Sequence, residues 1–120
     1  DVTPVKYQKL ANNEKPETSA EIKARVDSAR KIQNDRYKNY GIFSNSELTP
    51  NLTEKYCKLD EASNKIIQNA FERLGLSARG YGRILKVART IADLEGKEHI
   101  SSSHVAEAIQ YRSLDRKYWR

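Results

Sequence analysis

The sequence predicts an all-α domain, a bundle of about five helices with an extended N-terminal tail. Three observations lead there. Polar cap residues recur just ahead of apolar runs at helical spacing, at Thr18, Thr49, Asp60, Ser77 and the Ser101–Ser102 pair. Glycine stands beyond the ends of three of those runs, at Gly41, Gly75 and Gly96. The alternating pattern of a strand is confined to Val2, Pro4, Val5, Tyr7 and Leu10.

Those first residues read as extended, and Pro4 restricts them to an edge or a tail. The ANNEKPE stretch that follows reads as a linker, so residues 1–17 are expected to be tail and linker. Thr18-Ser19-Ala20-Glu21 is a capping box, in which a cap hydroxyl accepts a helix N–H while Glu21 reaches back to the cap. Ile22, Val26 and Ala29 carry the helix on to about Tyr37. Arg25, Arg30, Lys31 and Arg36 surround that narrow stripe, so the helix needs another surface to lie against. Thr49-Pro50 opens a short helix through about Cys57, with proline at the first helical position. Asp60 caps a third, with Ala62, Ile66, Ile67, Ala70, Phe71 and Leu74 on its apolar side, stopping at Gly75. Ser77 caps a fourth, about Ala78 to Leu94. Ser101 or Ser102 caps the last, which buries Val105, Ala106, Ala108 and Ile109. The helical domain is thus placed at 18–112. Residues 113–120 are expected to form a mobile tail from which Tyr118 and Trp119 could dock.

Composition sets the outer bounds. A chain of 120 residues suits one domain, and 38% hydrophobic residues supply a modest core. No apolar run approaches the roughly 20 residues of a membrane span, and no basic-then-apolar leader opens the chain. The single cysteine excludes an internal disulfide and a multi-cysteine metal site, which fits a reducing, cytoplasmic location. The Asn51-Leu52-Thr53 sequon therefore carries little weight. With no methionine and an Asp1 start, the chain is expected to be a piece of a longer protein. Its 22 basic and 16 acidic side chains, net +6, are spread without a charged tail.

The segment from Arg73 to Ala92 holds Arg73, Arg79, Arg83, Lys86 and Arg89 and no acid. On a helix, Arg79, Arg83, Lys86 and Thr90 fall within about 60° of one another. Ile84, Leu85, Val87, Ala88, Ile91 and Ala92 occupy the other side. Arg79 stands in the first turn, where helix N–H groups and the macrodipole favour an anion. A guanidinium there, beside Gly80 and Gly82, suits phosphate because it offers a planar, two-pronged donor. The competing reading is a solvated basic face.

Other patterns carry less. Gly75-Leu-Ser-Ala-Arg-Gly80 copies the opening of a phosphate loop, but Tyr81 and Gly82 stand where Lys and Ser or Thr are required. His99 and His104 straddle a helix start without partners at metal-ligand spacing, so no metal site is expected. Cys57 reads as a small buried side chain. Asp60-Glu61 and the pair Asp93 and Glu95 read as capping and solvation rather than as an acid–base pair. Tyr37, Tyr56, Tyr81 and Tyr111 fall where helix faces pack and read as core.

The stretch Leu74-Gly-Leu-Ser-Ala-Arg-Gly-Tyr-Gly-Arg-Ile-Leu-Lys-Val-Ala-Arg-Thr-Ile-Ala-Asp-Leu-Glu95 resembles the C-terminal helical lid of magnesium-chelatase-related AAA+ ATPases, in the competence-protein ComM-like branch. Glu21 to Arg30 with Gln33 and Arg36 resembles that family's first lid helix, and His104 to Arg112 followed by Leu114-Asp115-Arg116 resembles its last. Val2 to Leu10 resembles the connection into the lid. The likeness covers nearly the whole chain in the right order. It implies that Arg79, in Ser77-Ala78-Arg79, is a second-sensor arginine reaching the γ-phosphate of ATP, in its own chain or a neighbouring subunit. Arg83 and Lys86 would support phosphate or subunit contacts.

The resemblance further implies ATP and Mg2+ as cofactors of the longer protein and none for this chain alone. The family's Walker motifs, first sensor and arginine finger match nothing here, so the chain alone is not expected to hydrolyse ATP. Expected partners are the AAA+ core of the same chain, neighbouring subunits of a hexamer and, through the longer protein, DNA, with no membrane. The leading reading is a DNA-remodelling, helicase-like motor. The alternative is a chelatase motor that inserts magnesium into a tetrapyrrole. A third is a stand-alone helical DNA-binding module, for which LGLSARG resembles a helix-turn-helix turn, although the following helix carries no Asn or Gln for base edges.

Overall fold

The computed structural model describes the backbone over residues 16–118 and side chains over residues 16–112. The expected extended segment from Val2 to Leu10 and the docking of Trp119 lie outside the described residues. Five α-helices follow one another: α1 (Ser19–Tyr37), α2 (Pro50–Tyr56), α3 (Glu61–Leu74), α4 (Ala78–Leu94) and α5 (Ser102–Tyr118). Among the described residues no strand forms; Leu59 and Ile100 make an isolated bridge between two loops.

Local chemistry accounts for the helix boundaries. The capping box at α1 is complete: Thr18 Oγ1 accepts the Glu21 N–H and the Glu21 carboxylate accepts the Thr18 N–H. Thr49, Asp60 and Ser77 cap α2, α3 and α4 by accepting the N–H of Leu52, Ser63 and Gly80. The Ser63 backbone bond holds the Asp60 carboxyl below its ordinary range. Gly75 ends α3 at φ 62°, a left-handed conformation that glycine adopts without a Cβ penalty. Of the two serines offered for the last cap, Ser101 holds the position. Its N–H donates to His104 Nδ1 at 2.9 Å, so the histidine fills the place a glutamate takes in a capping box. α5 then continues to Tyr118, so the boundary set at 112 falls inside a helix.

α4 is the centre of the bundle. It packs against α1, α2 and α5, and α5 packs on α3. Ile84, Leu85, Ala88, Ile91 and Ala92 of α4 meet Ile67 and Ala70 of α3 and Val105, Ala108 and Ile109 of α5 in one core. Each fully buried Ile or Val contributes roughly 1.5–3 kcal/mol.

Several expected faces shift. In α1 the buried line is Ala29, Gln33 and Tyr37, while Ile22 is 45% exposed, because the helix meets the bundle only through its second half. Val87, Phe71 and Tyr111 are exposed rather than core, and Tyr111 reaches 53%. Tyr37 is fully buried, whereas Tyr56 and Tyr81 are half-buried against the core. Between α1 and α2 a short 3-10 turn, Asn45–Glu47, also packs on α4, and no sequence pattern announced it.

Candidate functional site

The basic face of α4 divides into two halves with opposite chemistry. In the first, Ser77 Oγ takes the Gly80 N–H at 3.1 Å, and the N–H groups of Ala78 and Arg79 precede the first intrahelical bond and point out of the helix end. Arg79 and Arg83 are exposed and Lys86 is half-buried. Among the described residues none of the three forms an ion pair. They line one wide, open depression together with Thr53 and Cys57. The structure thus brings the expected residues Arg79, Arg83 and Lys86 onto a common surface that runs from the electropositive helix start, with Glu54 and Glu107 in the same lining but not paired to them. That arrangement fits an anion, and phosphate in particular.

The second half is closed. Arg89, which belongs to the same acid-free stretch, is 4% exposed, and Asp93 is 1% exposed. Arg89 donates to Asp93 Oδ1 at 3.2 Å and to the backbone carbonyls of Lys97 at 2.8 Å and Glu98 at 2.9 Å. It thereby ties the loop after α4 to the helix. Arg36 of α1 grips the same carboxylate with both nitrogens, at 3.0 and 2.7 Å. Burial works to lower the Arg36 pKa, but the hydrogen bonds it donates to Asp93 and Tyr37 prevail and the net shift is upward.

Asn45, from the 3-10 turn, completes the cluster. Its amide donates to Asp93 at 3.0 Å and to Thr90 Oγ1 at 2.9 Å. Its Oδ1 accepts from Tyr37 at 2.5 Å, and its backbone N–H donates to Gln33 at 3.0 Å. Asp93 is therefore not a solvated cap, as the sequence suggested. It is the buried counter-ion that seats α1 and the 3-10 turn on α4, because two guanidiniums and an amide replace the water it loses. Thr90 lines the open depression with Arg79, Arg83 and Lys86, as expected, and its Oγ1 also accepts from Asn45, so it joins the two halves.

The remaining candidates are structural. His104 is buried; with Nδ1 accepting from Ser101, its Nε2–H donates to Glu95 at 2.9 Å. His99 is exposed. Among the described residues there is no group of three or more His, Cys, Asp and Glu that could hold a metal ion. Cys57 is a free buried thiol whose pKa burial pushes up to about 11. No helix among the described residues is long and apolar enough to cross a membrane.

Comparison with known proteins places this arrangement. Residues 16–112 match the family described as magnesium chelatase, subunit ChlI C-terminal. The chain is 42% identical over 100 residues to the competence protein ComM of Haemophilus influenzae, covering 83% of this chain and 19% of that protein. It is 41% identical over 102 residues to the protein YifB of Salmonella typhimurium, covering 85% and 19%. YifB of Escherichia coli is 38% identical over 100 residues, again covering 19% of its length. The chain thus spans about a fifth of the curated relatives it matches. The family match spans every described helix through Arg112, including both halves of α4, and the chain belongs to the magnesium chelatase subunit ChlI C-terminal family.

Proposed function

We propose that this chain is the C-terminal helical lid of an AAA+ ATPase and that Arg79 is its nucleotide-sensing residue. The observation that carries the reading is the contrast within α4. Arg89 is enclosed by a carboxylate and two close carbonyls, whereas Arg79 stands exposed at the helix start and among the described residues forms no ion pair. ATP bound by the core of the longer protein would supply the γ-phosphate. Arg79 then orients and screens charge on its oxygens, with Arg83 and Lys86 along the same surface adding positive potential. The core would hold the Mg2+.

In this reading the longer protein is a cytoplasmic hexameric motor that remodels DNA, and the net charge of +6 agrees with a polyanionic partner. The family's description keeps a second reading in view, a motor for magnesium insertion into a tetrapyrrole.

The test is steady-state ATP hydrolysis by the full-length protein, wild type against Arg79→Ala, with and without DNA. Turnover is expected to fall, up to the order of 10³–10⁵ seen for trans-acting arginines, with nucleotide binding largely kept. Unchanged turnover would remove the sensor role. Stimulation by DNA supports the remodelling motor, and its absence favours the chelatase reading.

A further inference from the structure

Partway along α5, Arg112 lies against the first turn of α4. Its Nη2 stands 3.6 Å from the point that a Cβ on Gly80 would occupy, and Ser77 Oγ lies at the same distance from that point. Gly80 is buried, and the guanidinium lies at ordinary contact distance from it, beside the helix cap. The Arg112 Nε is buried and has no hydrogen-bond partner, and among the described residues Arg112 forms no ion pair.

This placement is unfavourable in three ways. A cation sits at the positive end of the α4 dipole. A buried N–H goes unsatisfied. A second guanidinium, that of Arg79, belongs to the same turn, so like charges crowd one end of a helix. Arg36 and Arg89 show how this fold treats guanidiniums that it satisfies internally: both reach Asp93. Among the described residues no carboxylate pairs with Arg112. The dipole and like-charge costs fall together when an anion occupies the start of α4.

We propose that Arg112 is a positioning residue for the anion that Arg79 meets. It braces the first turn of α4 from the α5 side, and it ties the seating of α5 on α4 to occupancy of that turn by a phosphoryl group. The inference rests on the reading that Arg79 faces a nucleotide phosphate. It adds a route by which nucleotide state reaches the last helix of the lid.

The test uses the full-length ATPase with Arg79→Ala, Arg112→Gln and the double variant. It reads ATPγS affinity, the melting temperature with and without ATPγS, and turnover. Arg112→Gln is expected to leave the nucleotide-free melting temperature unchanged or raised, since an unsatisfied cation is removed. It is expected to shrink the ATPγS-induced rise and to lower kcat/KM for ATP about tenfold. In the Arg79→Ala background its further effect on turnover is expected to be less than about twofold, because Arg112 acts through that turn.

If Arg79→Ala impairs turnover and Arg112→Gln changes neither affinity nor turnover, the inference fails and the sensor reading survives. Additive losses in the double variant, or a lower nucleotide-free melting temperature, make Arg112 a structural brace only and overturn the proposal. Unchanged turnover in Arg79→Ala overturns both. Arg112→Lys keeps the stem over Gly80 and the charge but loses Nε. Should Arg112→Gln not fold, it carries the same test, with an intermediate loss expected and wild-type affinity counting against the proposal.

Discussion

Arg79 and Arg89 lie on the same helix, belong to the same acid-free stretch of sequence and carry the same charge, yet the fold uses them in opposite ways. Arg89 faces the bundle, where Asp93 and the carbonyls of Lys97 and Glu98 complete its donors. Arg79 is exposed at the helix start, where no carboxylate of the described residues neutralises it. What separates the enclosed arginine from the open one is therefore not its spacing or its local sequence. It is whether the chain itself brings an acid. One end of α4 is closed electrostatically and supports the fold; the other is left open to solvent.

The contrast can be broken most severely at Asp93. Asp93→Ala leaves Arg89 buried and Arg36 part-buried around an absent charge, and a stability loss of about 3–5 kcal/mol is expected in urea unfolding of this chain. That is a large share of the roughly 5–15 kcal/mol typical of a domain. A loss below about 1 kcal/mol would mean that the closed end is not what holds α1 in place.

A smaller effect is expected from pH, at the edge of the same core. Folding raises the Cys57 pKa from its ordinary value near 9 to about 11, so the unfolded chain gives up its proton first as pH rises. The stabilising contribution is complete below pH 9 and declines through about pH 11, by roughly 2–3 kcal/mol in all. Melting temperatures across that range, compared between wild type and Cys57→Ala, check it, since the variant should lose this part of the alkaline decline.

At the open end the effects are smaller. Ser77→Ala removes the cap of α4 and is expected to cost about 1 kcal/mol. Gly80→Ala is expected to stabilise by about 0.5–1 kcal/mol, because the new methyl finds ordinary contacts with Arg112, Ser77 and Leu76. Arg79→Ala sharpens the comparison most cleanly, with a change in folding stability within about 0.5 kcal/mol. A melting temperature that drops as far as that of Asp93→Ala would erase the distinction between the two ends.

The helices were legible in the sequence because caps are local. Thr18, Thr49, Asp60 and Ser77 each act on a neighbour three positions along, and Gly75 acts on its own backbone. Helical periodicity likewise placed Arg79, Arg83 and Lys86 on one face. The buried cluster was not legible, because its partners meet only after folding: Arg36 and Asn45 reach Asp93 across 57 and 48 positions. Charged residues are also rarely buried unless paired, so each member taken alone reads as surface. The same reason hid Arg112, whose relation to Gly80 exists only once α5 has packed on α4. His104 could have been found, since a histidine three positions after Ser101 fits the capping-box spacing.

The first half of α1 has a mechanical consequence. Its capping box is self-contained, and residues 18–25 are exposed, so this part of the helix stands clear of the bundle while Arg36 and Tyr37 anchor the far end. From Ala29, the first buried residue, back to Thr18 the helix is a lever of about 16 Å at roughly 1.5 Å per residue. A tilt of about 10° around that point swings the tip by roughly 3 Å, about half a helical turn. Small rotations of α4 beneath the seat of α1 therefore arrive at Thr18, where the chain leads back toward residue 1, as displacements large enough to change which side chains can touch.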